Sequence, residues 1–284
     1  SALAVRETAG MEHRHVAVIG GGCIGLTSAR LLQHAGWNVT IFSRDMPRHT
    51  TSNIAPGQFG PGGAHNPAVS SAAFKSRLDF AARISHHAFT NLGGADYGVR
   101  WIEMHWPTDS LEDKLRPFDG GFPDLYPYNE LYGPGEHPFP TRYMRSTVTM
   151  LIDPATFLNR ITEDVYQAGG RFVIRDFGAK EELLSLPEPV IFNCTGLGAR
   201  ALFGDEELVP VKGQLIFMPP DPDVDYLTVG GGKGDLYMFS RSDVLLLGGI
   251  YKPGDWSTHP EPEETARIIS EHQRLFADFG RGRS

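Results

Sequence analysis

The chain has 284 residues, 40% of them hydrophobic and 21% charged, which is a globular composition long enough for two modest domains. A formal net charge of −8 argues against nucleic acid as the main partner, and no apolar run approaches the length that spans a bilayer. Two cysteines do not make a disulfide framework, and eleven histidines without ligand spacing give no reason to expect a metal.

Residues 1–14 lack the apolar core of a secretory signal, and the last residues carry no peroxisomal address, so a cytoplasmic protein is expected. The first strong pattern is the apolar strand His15-Val16-Ala17-Val18-Ile19. It runs into Gly20-Gly21-Gly22-Cys23-Ile24-Gly25 and then an amphipathic helix to Gly36. A strand, a G-x-G-x-x-G turn and a helix together read as a dinucleotide-binding unit. Gly20 permits the sharp turn, Gly22 lets backbone approach a pyrophosphate, and Gly25 lets the helix pack close to the strand. The N–H groups of the helix start would receive the diphosphate. A second strand, 38–42, completes the βαβ unit. Ser43 and Arg44 precede Asp45, so the acidic ribose ligand of an ordinary NAD site is not at its usual place.

A loop rich in Gly, Pro, Ser and Thr is expected from 45 to 67, a length usually reserved for functional or disordered segments. A helix is predicted over 72–92, with Phe74, Leu78, Ala81 or Ala82 and Phe89 on its apolar face. Residues 99–145 are dense in Trp, Tyr, Phe and Pro and read as an inserted second domain. Asp153-Pro154 starts another helix with Phe157, Leu158, Ile161 and Val165 on one face, ending at Gly169-Gly170. A strand over 171–177 follows. The strand 190–193 then ends in Asn193-Cys194-Thr195-Gly196 and is expected to return to the first sheet. Short strands over 209–218, 226–229, 236–240 and 244–251 imply an antiparallel sheet. A helix over 263–279 presents Ile268, Ile269, His272, Leu275 and Phe276 on one face.

Taken together, four blocks of this chain are similar to the D-amino-acid oxidase family of FAD-dependent oxidoreductases. They are 16–25 with its helix; 43–45 through Thr50-Thr51-Ser52-Asn53 to Gly57; Asn193 to Gly196; and Lys212-Gly213-Gln214 followed by Leu247-Gly248-Gly249-Ile250 and Gly254-Asp255-Trp256-Ser257. The resemblance implies an α/β fold, a Rossmann-like FAD-binding domain with an interleaved mixed or antiparallel-sheet substrate domain. The expected division gives 14–75 and 150–205 to FAD, 76–149 and 206–262 to substrate, and 263–284 to a C-terminal helix.

By the same resemblance, FAD is held by Gly20, Gly22, Cys23, Ile24, Gly25, Ser43, Arg44, Asp45, Thr50, Thr51, Ser52, Asn53, Gly57, Phe177, Thr195 and Gly196. Tyr237 falls where the family binds the substrate carboxylate. Met104, His105 and Trp106 fall where it carries a lid. The family's carboxylate-clamping arginine and late glycine-rich flavin segment do not occur in this sequence, and Arg241 is the local candidate for the clamp. The implied reaction converts a D-amino acid and dioxygen into a 2-oxo acid, ammonia and hydrogen peroxide. A non-catalytic FAD or ADP binder of the family, a related glycine or amine oxidase, an NAD-linked dehydrogenase and assembly as a homodimer stay open at this level.

Overall fold

The computed structural model describes residues 14–61, 70–112, 121–126, 128–232 and 236–279. They form two compact units, each built from separate stretches of chain. One comprises the residues up to 55 together with 154–210, the other 56–153 together with the residues from 211 onward.

The elements run, in chain order, β1 (His15–Ile19), α1 (Cys23–His34), β2 (Asn38–Ser43), a 3-10 turn (Pro47–His49), α2 (Thr51–Ile54), α3 (Ala72–Asn91), β3 (Val99–Thr108), a 3-10 turn (Pro123–Leu125), β4 (Asn129–Tyr132), β5 (Tyr143–Ile152), α4 (Pro154–Gln167), β6 (Arg171–Ile174), α5 (Lys180–Leu184), β7 (Val190–Asn193), α6 (Gly198–Phe203), β8 (Val211–Lys212), β9 (Leu215–Met218), β10 (Tyr226–Val229), β11 (Tyr237–Ser240), β12 (Leu245–Gly248), β13 (Lys252–Pro253) and α7 (Pro262–Leu275).

The first unit holds a sheet of order β6-β2-β1-β7 in which every neighbouring pair is parallel. Parallel sheets need cover on their faces, and β1 reads accordingly, with Val16 to Ile19 all buried. Helix α1 buries Gly25, Leu26 and Ala29, and α4 buries Phe157, Leu158, Ile161 and Val165. The 3.6-residue period of those apolar positions is why both segments are helices, and each fully buried large side chain contributes about 2 kcal/mol. Gln33 Nε2 donates to Val165 O at 2.9 Å and ties the two helices together. Helix α1 stops at Gly36, φ +82°, where Trp37 N–H bonds back to Leu32 O. Ala17, Ile19, Phe42, Phe177 and Leu183 form a further apolar cluster of this unit.

The second unit is organised on a seven-stranded sheet of order β4-β5-β3-β10-β11-β12-β9. Only β3 and β10 pair in parallel; the rest is antiparallel, and β8 and β13 form a separate two-stranded ribbon. One face buries Ile102, Met104, Leu151, Leu227, Phe239 and Leu246. The opposite face places Met238, Leu245 and Leu247 against Ile268 of α7.

Several details depart from the sequence expectation. The segment 45–61 is not structureless, because it contains the 3-10 turn and α2, while 62–67 lies outside the described residues. The strand expected over 171–177 ends at Ile174. The stretch 209–218 is broken into β8 and β9 at Gly213. Met104, His105 and Trp106 lie within the ten-residue strand β3 and not in a lid, since β3 pairs with β5 along its whole length. The compact division falls at 55/56 and not at 75: α3 packs Leu78, Ala82 and Phe89 with Phe59, Val99, Phe122, Leu125 and Met150 of the second unit. Phe74, expected on that face, is exposed. Helix α7 likewise packs on the second unit's sheet. Among the described residues, no helix is long and apolar enough to cross a membrane, and no group of His, Cys, Asp and Glu could hold a metal ion.

Candidate functional site

In the first unit the glycine turn is built by close approach. Gly20 has φ +117°, and a Cβ there would lie 2.2 Å from Cys194 O. A Cβ on Gly25 would lie 1.8 Å from Gly20 O. The end of β7 is therefore packed directly under the turn, and Cys194 N–H donates to Ile19 O at 2.8 Å. Two blocks far apart in sequence, 20–25 and 193–196, meet at this point. Gly196 has φ +55°, and Thr195 Oγ1 and N–H both donate to Asn193 Oδ1 at 2.7 and 3.2 Å, which fixes that turn. Burial pushes the Cys194 thiol above its ordinary value, so it stays protonated and inert there.

Two serines complete the cradle. Ser43 Oγ accepts from Gly21 N–H at 3.0 Å and donates to Asp45 O at 2.8 Å. It braces the turn where a ribose-binding acid would stand in an ordinary NAD site. Ser52 Oγ on α2 accepts from Cys23 N–H at 3.0 Å. Thr50 Oγ1 donates to Pro47 O at 2.7 Å and sets the entry of α2. Thr51 is exposed and Asn53 half-buried on the same turn.

The start of α1 has no side-chain cap and no acidic residue in its first turn. The N–H groups of Ile24 and Gly25 in that first turn have no partner four residues back in the helix. A Cβ on Gly22 would meet Ser52 Oγ at 2.9 Å, so the space in front of the helix is kept open by the absence of a side chain. Backbone donors, a positive helix end and room for close approach suit a diphosphate. Arg44 pairs with Asp45 at 2.8 Å, both exposed beyond β2. Phe177 is buried in the core with its ring edge-on to Phe42, and the Arg175 guanidinium lies 4.5 Å above it. Its side chain therefore serves packing.

Gly57, Tyr237 and Arg241 belong to the second unit. Gly57 has φ +90° and its carbonyl accepts from Ile152 N–H at 2.8 Å. Tyr237 opens β11 opposite Gly248. A Cβ on Gly248 would lie 2.5 Å from the Tyr237 hydroxyl and one on Gly213 3.9 Å from it. Two glycines thus make room for the phenol on the apolar face formed by Met104, Phe239 and Leu246. Gly213 and Gly248 fall in the blocks 212–214 and 247–250 that carry the resemblance, and no spacing in the chain marks them as framing Tyr237.

Arg241 stands differently. Its side chain is 2% exposed, and it grips Asp243 with two bonds, Nε to Oδ1 at 2.9 Å and Nη2 to Oδ2 at 2.7 Å. Asp153 lies 4.0 Å away and accepts from Ser242 N–H through both oxygens. Arg241 is thus a strut of the β11–β12 hairpin. It also lies past the far end of β11 from Tyr237, four residues on, about 13 Å along a strand. One small carboxylate does not reach both.

A parallel sheet whose glycine turn opens an uncapped helix defines the first unit as a dinucleotide-binding domain. Residues 15–283 match the FAD dependent oxidoreductase family designated DAO, and the chain belongs to that family. A D-amino-acid oxidase of Streptomyces coelicolor is 30% identical over 256 residues, which cover 89% of this chain and 75% of that protein. A D-amino-acid oxidase of Schizosaccharomyces pombe is 26% identical over 280 residues, 95% of this chain and 78% of that one. Among solved structures, glycine oxidase from Geobacillus kaustophilus matches with a TM-score of 0.70 at 16% identity, over 94% of this chain and 80% of that one. L-alpha-glycerophosphate oxidase from Mycoplasma pneumoniae, solved with FAD bound, matches with a TM-score of 0.67 at 12% identity, over 94% and 79%. The family is FAD-dependent, and the cradle fits the diphosphate of that cofactor.

Proposed function

We propose that this protein oxidatively deaminates a D-amino acid. The observation that carries the reading is Tyr237, a phenol framed by Gly213 and Gly248 on an apolar sheet face, in a chain whose relatives include D-amino-acid oxidases. When bound, FAD would supply the two-electron acceptor for oxidation at the substrate Cα, with dioxygen as the final acceptor and hydrogen peroxide as its product. The substrate becomes an imino acid, and water converts it into a 2-oxo acid and ammonia.

In this reading the N–H groups of Gly22, Ile24 and Gly25 hold the diphosphate, while Ser43 and Ser52 keep the turn and α2 in place around it. Thr50, Thr51, Asn53, Thr195 and Gly196 supply further polar and backbone surface to the cofactor. Tyr237 donates its phenolic hydrogen to the substrate carboxylate and so orients Cα. The apolar residues beside it exclude water, which strengthens that bond. A substrate bound as the neutral amine needs no side-chain base.

Anaerobic D-alanine should bleach the visible flavin spectrum of the purified protein; a spectrum left unchanged by D-alanine and by other D-amino acids would remove the assignment. Tyr237→Phe should keep its flavin and raise the D-alanine concentration for half-bleaching by at least about tenfold, the lower end of the worth of a hydrogen bond to a charged group. An unaltered half-bleaching concentration would take Tyr237 out of the substrate site.

A further inference from the structure

We propose that His272 is a positioning residue for Tyr237, holding its backbone from the helix side of the sheet. The inference rests on the substrate role given to Tyr237 above. His272 sits on α7 and is 4% exposed. Its Nε2 lies 3.1 Å from Tyr237 O and its Nδ1 2.8 Å from Ile268 O. The ring stacks on Phe276 at 6.4 Å, with 14° between the planes. Side chains alternate across β11, so Met238 faces α7 while Tyr237 and Phe239 face the other way. The imidazole therefore meets the carbonyl on one side of the strand whose phenol stands on the other.

Both neighbours of the ring are carbonyl oxygens, which only accept. A neutral imidazole carries one N–H and satisfies one of them; at the other nitrogen, lone pair faces lone pair. The imidazolium donates to both. Protonation thus converts a single tie into a double one, and the seat of Tyr237 differs between the two states. Burial lowers the ring's pKa and the two carbonyl contacts oppose it, with a net fall below the ordinary histidine value. The charged groups that act on the ring among the described residues are Arg267 and Glu271, both on α7; β11 meets it with the Tyr237 carbonyl, and the Phe276 ring beside it is apolar. Glu271 is itself paired with Arg274, and Arg267 with Glu264.

The FAD-loaded chain, labelled with 13C in its tyrosine rings and 15N in its histidines, tests this by titration across the histidine range. The Tyr237 resonance is assigned from Tyr237→Phe. It should move with the same midpoint as His272, below the ordinary histidine value. His272→Gln, whose amide can still donate to Tyr237 O but does not titrate, should leave the Tyr237 resonance flat with pH and keep D-alanine half-bleaching near wild type. His272→Phe, which keeps the stack on Phe276 but has no donor, should raise the half-bleaching concentration about fivefold with the limiting rate unchanged, the factor set by one neutral hydrogen bond.

A Tyr237 resonance that is flat in the wild type, or that titrates equally in His272→Gln, overturns the proposal. If the resonances move together while Tyr237→Phe leaves D-alanine binding unaltered, the coupling stands and the substrate role of Tyr237 falls. Should His272→Phe fail to fold, the wild-type titration and the glutamine variant still decide.

Discussion

Gly22→Val should purify as a folded protein with no flavin. Gly22 sits at φ −80°, ψ −175°, extended backbone that valine adopts without strain. Only space refuses the side chain, since the new Cβ would come within 2.9 Å of Ser52 Oγ. That hydroxyl holds Cys23 N–H at 3.0 Å, so moving it aside also frees the first turn of α1. The branched side chain would then stand where the diphosphate must touch the backbone. The measurement is the ratio of visible to ultraviolet absorbance together with circular dichroism. Wild-type flavin content would overturn the cradle, and an unfolded variant would mean that Gly22 serves packing as Gly25 does.

Arg241→Met should lower stability by about 3 kcal/mol, the range found when one partner of a buried ion pair is removed. The substitution keeps an unbranched stem but strips Asp153, itself buried, of its cationic neighbour and Asp243 of a two-bond grip. Urea unfolding followed by circular dichroism measures the loss. D-alanine half-bleaching in the folded variant should stay within about twofold of wild type, because the guanidinium is spent on the hairpin. A variant of unchanged stability that no longer binds D-alanine would instead make Arg241 the carboxylate clamp.

The parts of this fold that were legible in the sequence are those whose cause is local. The glycine turn, Gly36 as the stop of α1, and the apolar stripe Phe157, Leu158, Ile161 and Val165 all follow from near neighbours in the chain. On α7, Ile268, His272 and Leu275 are buried as the 3.6-residue period requires, whereas Ile269, at the margin of the stripe, is 40% exposed. What failed depends on distant partners. Strands β3 and β5 pair over ten positions, but β3 mixes Trp, Glu, His and Pro because part of it faces solvent, and its alternation is blurred. The roles of Arg241 and His272 follow from Asp153 and from the Tyr237 carbonyl, and no spacing rule joins those positions. The resemblance places Ser52 at the cofactor, and its bond to Cys23 N–H exists only once α2 has formed.

The meeting of Gly20 with Cys194 also sets an order of events during synthesis. The floor of the cradle comes from the end of β7, while its rim comes from the turn after β1, and residues 26–192, with all of the stretch 56–153, lie between them in the chain. A nascent polypeptide that has released only β1, α1 and β2 has the rim without the floor, and closing so long a loop is slow. Flavin capture is therefore a late step, after residue 194 has left the ribosome. Until then the exposed apolar strand β1 depends on rapid pairing or on chaperones to stay out of aggregates.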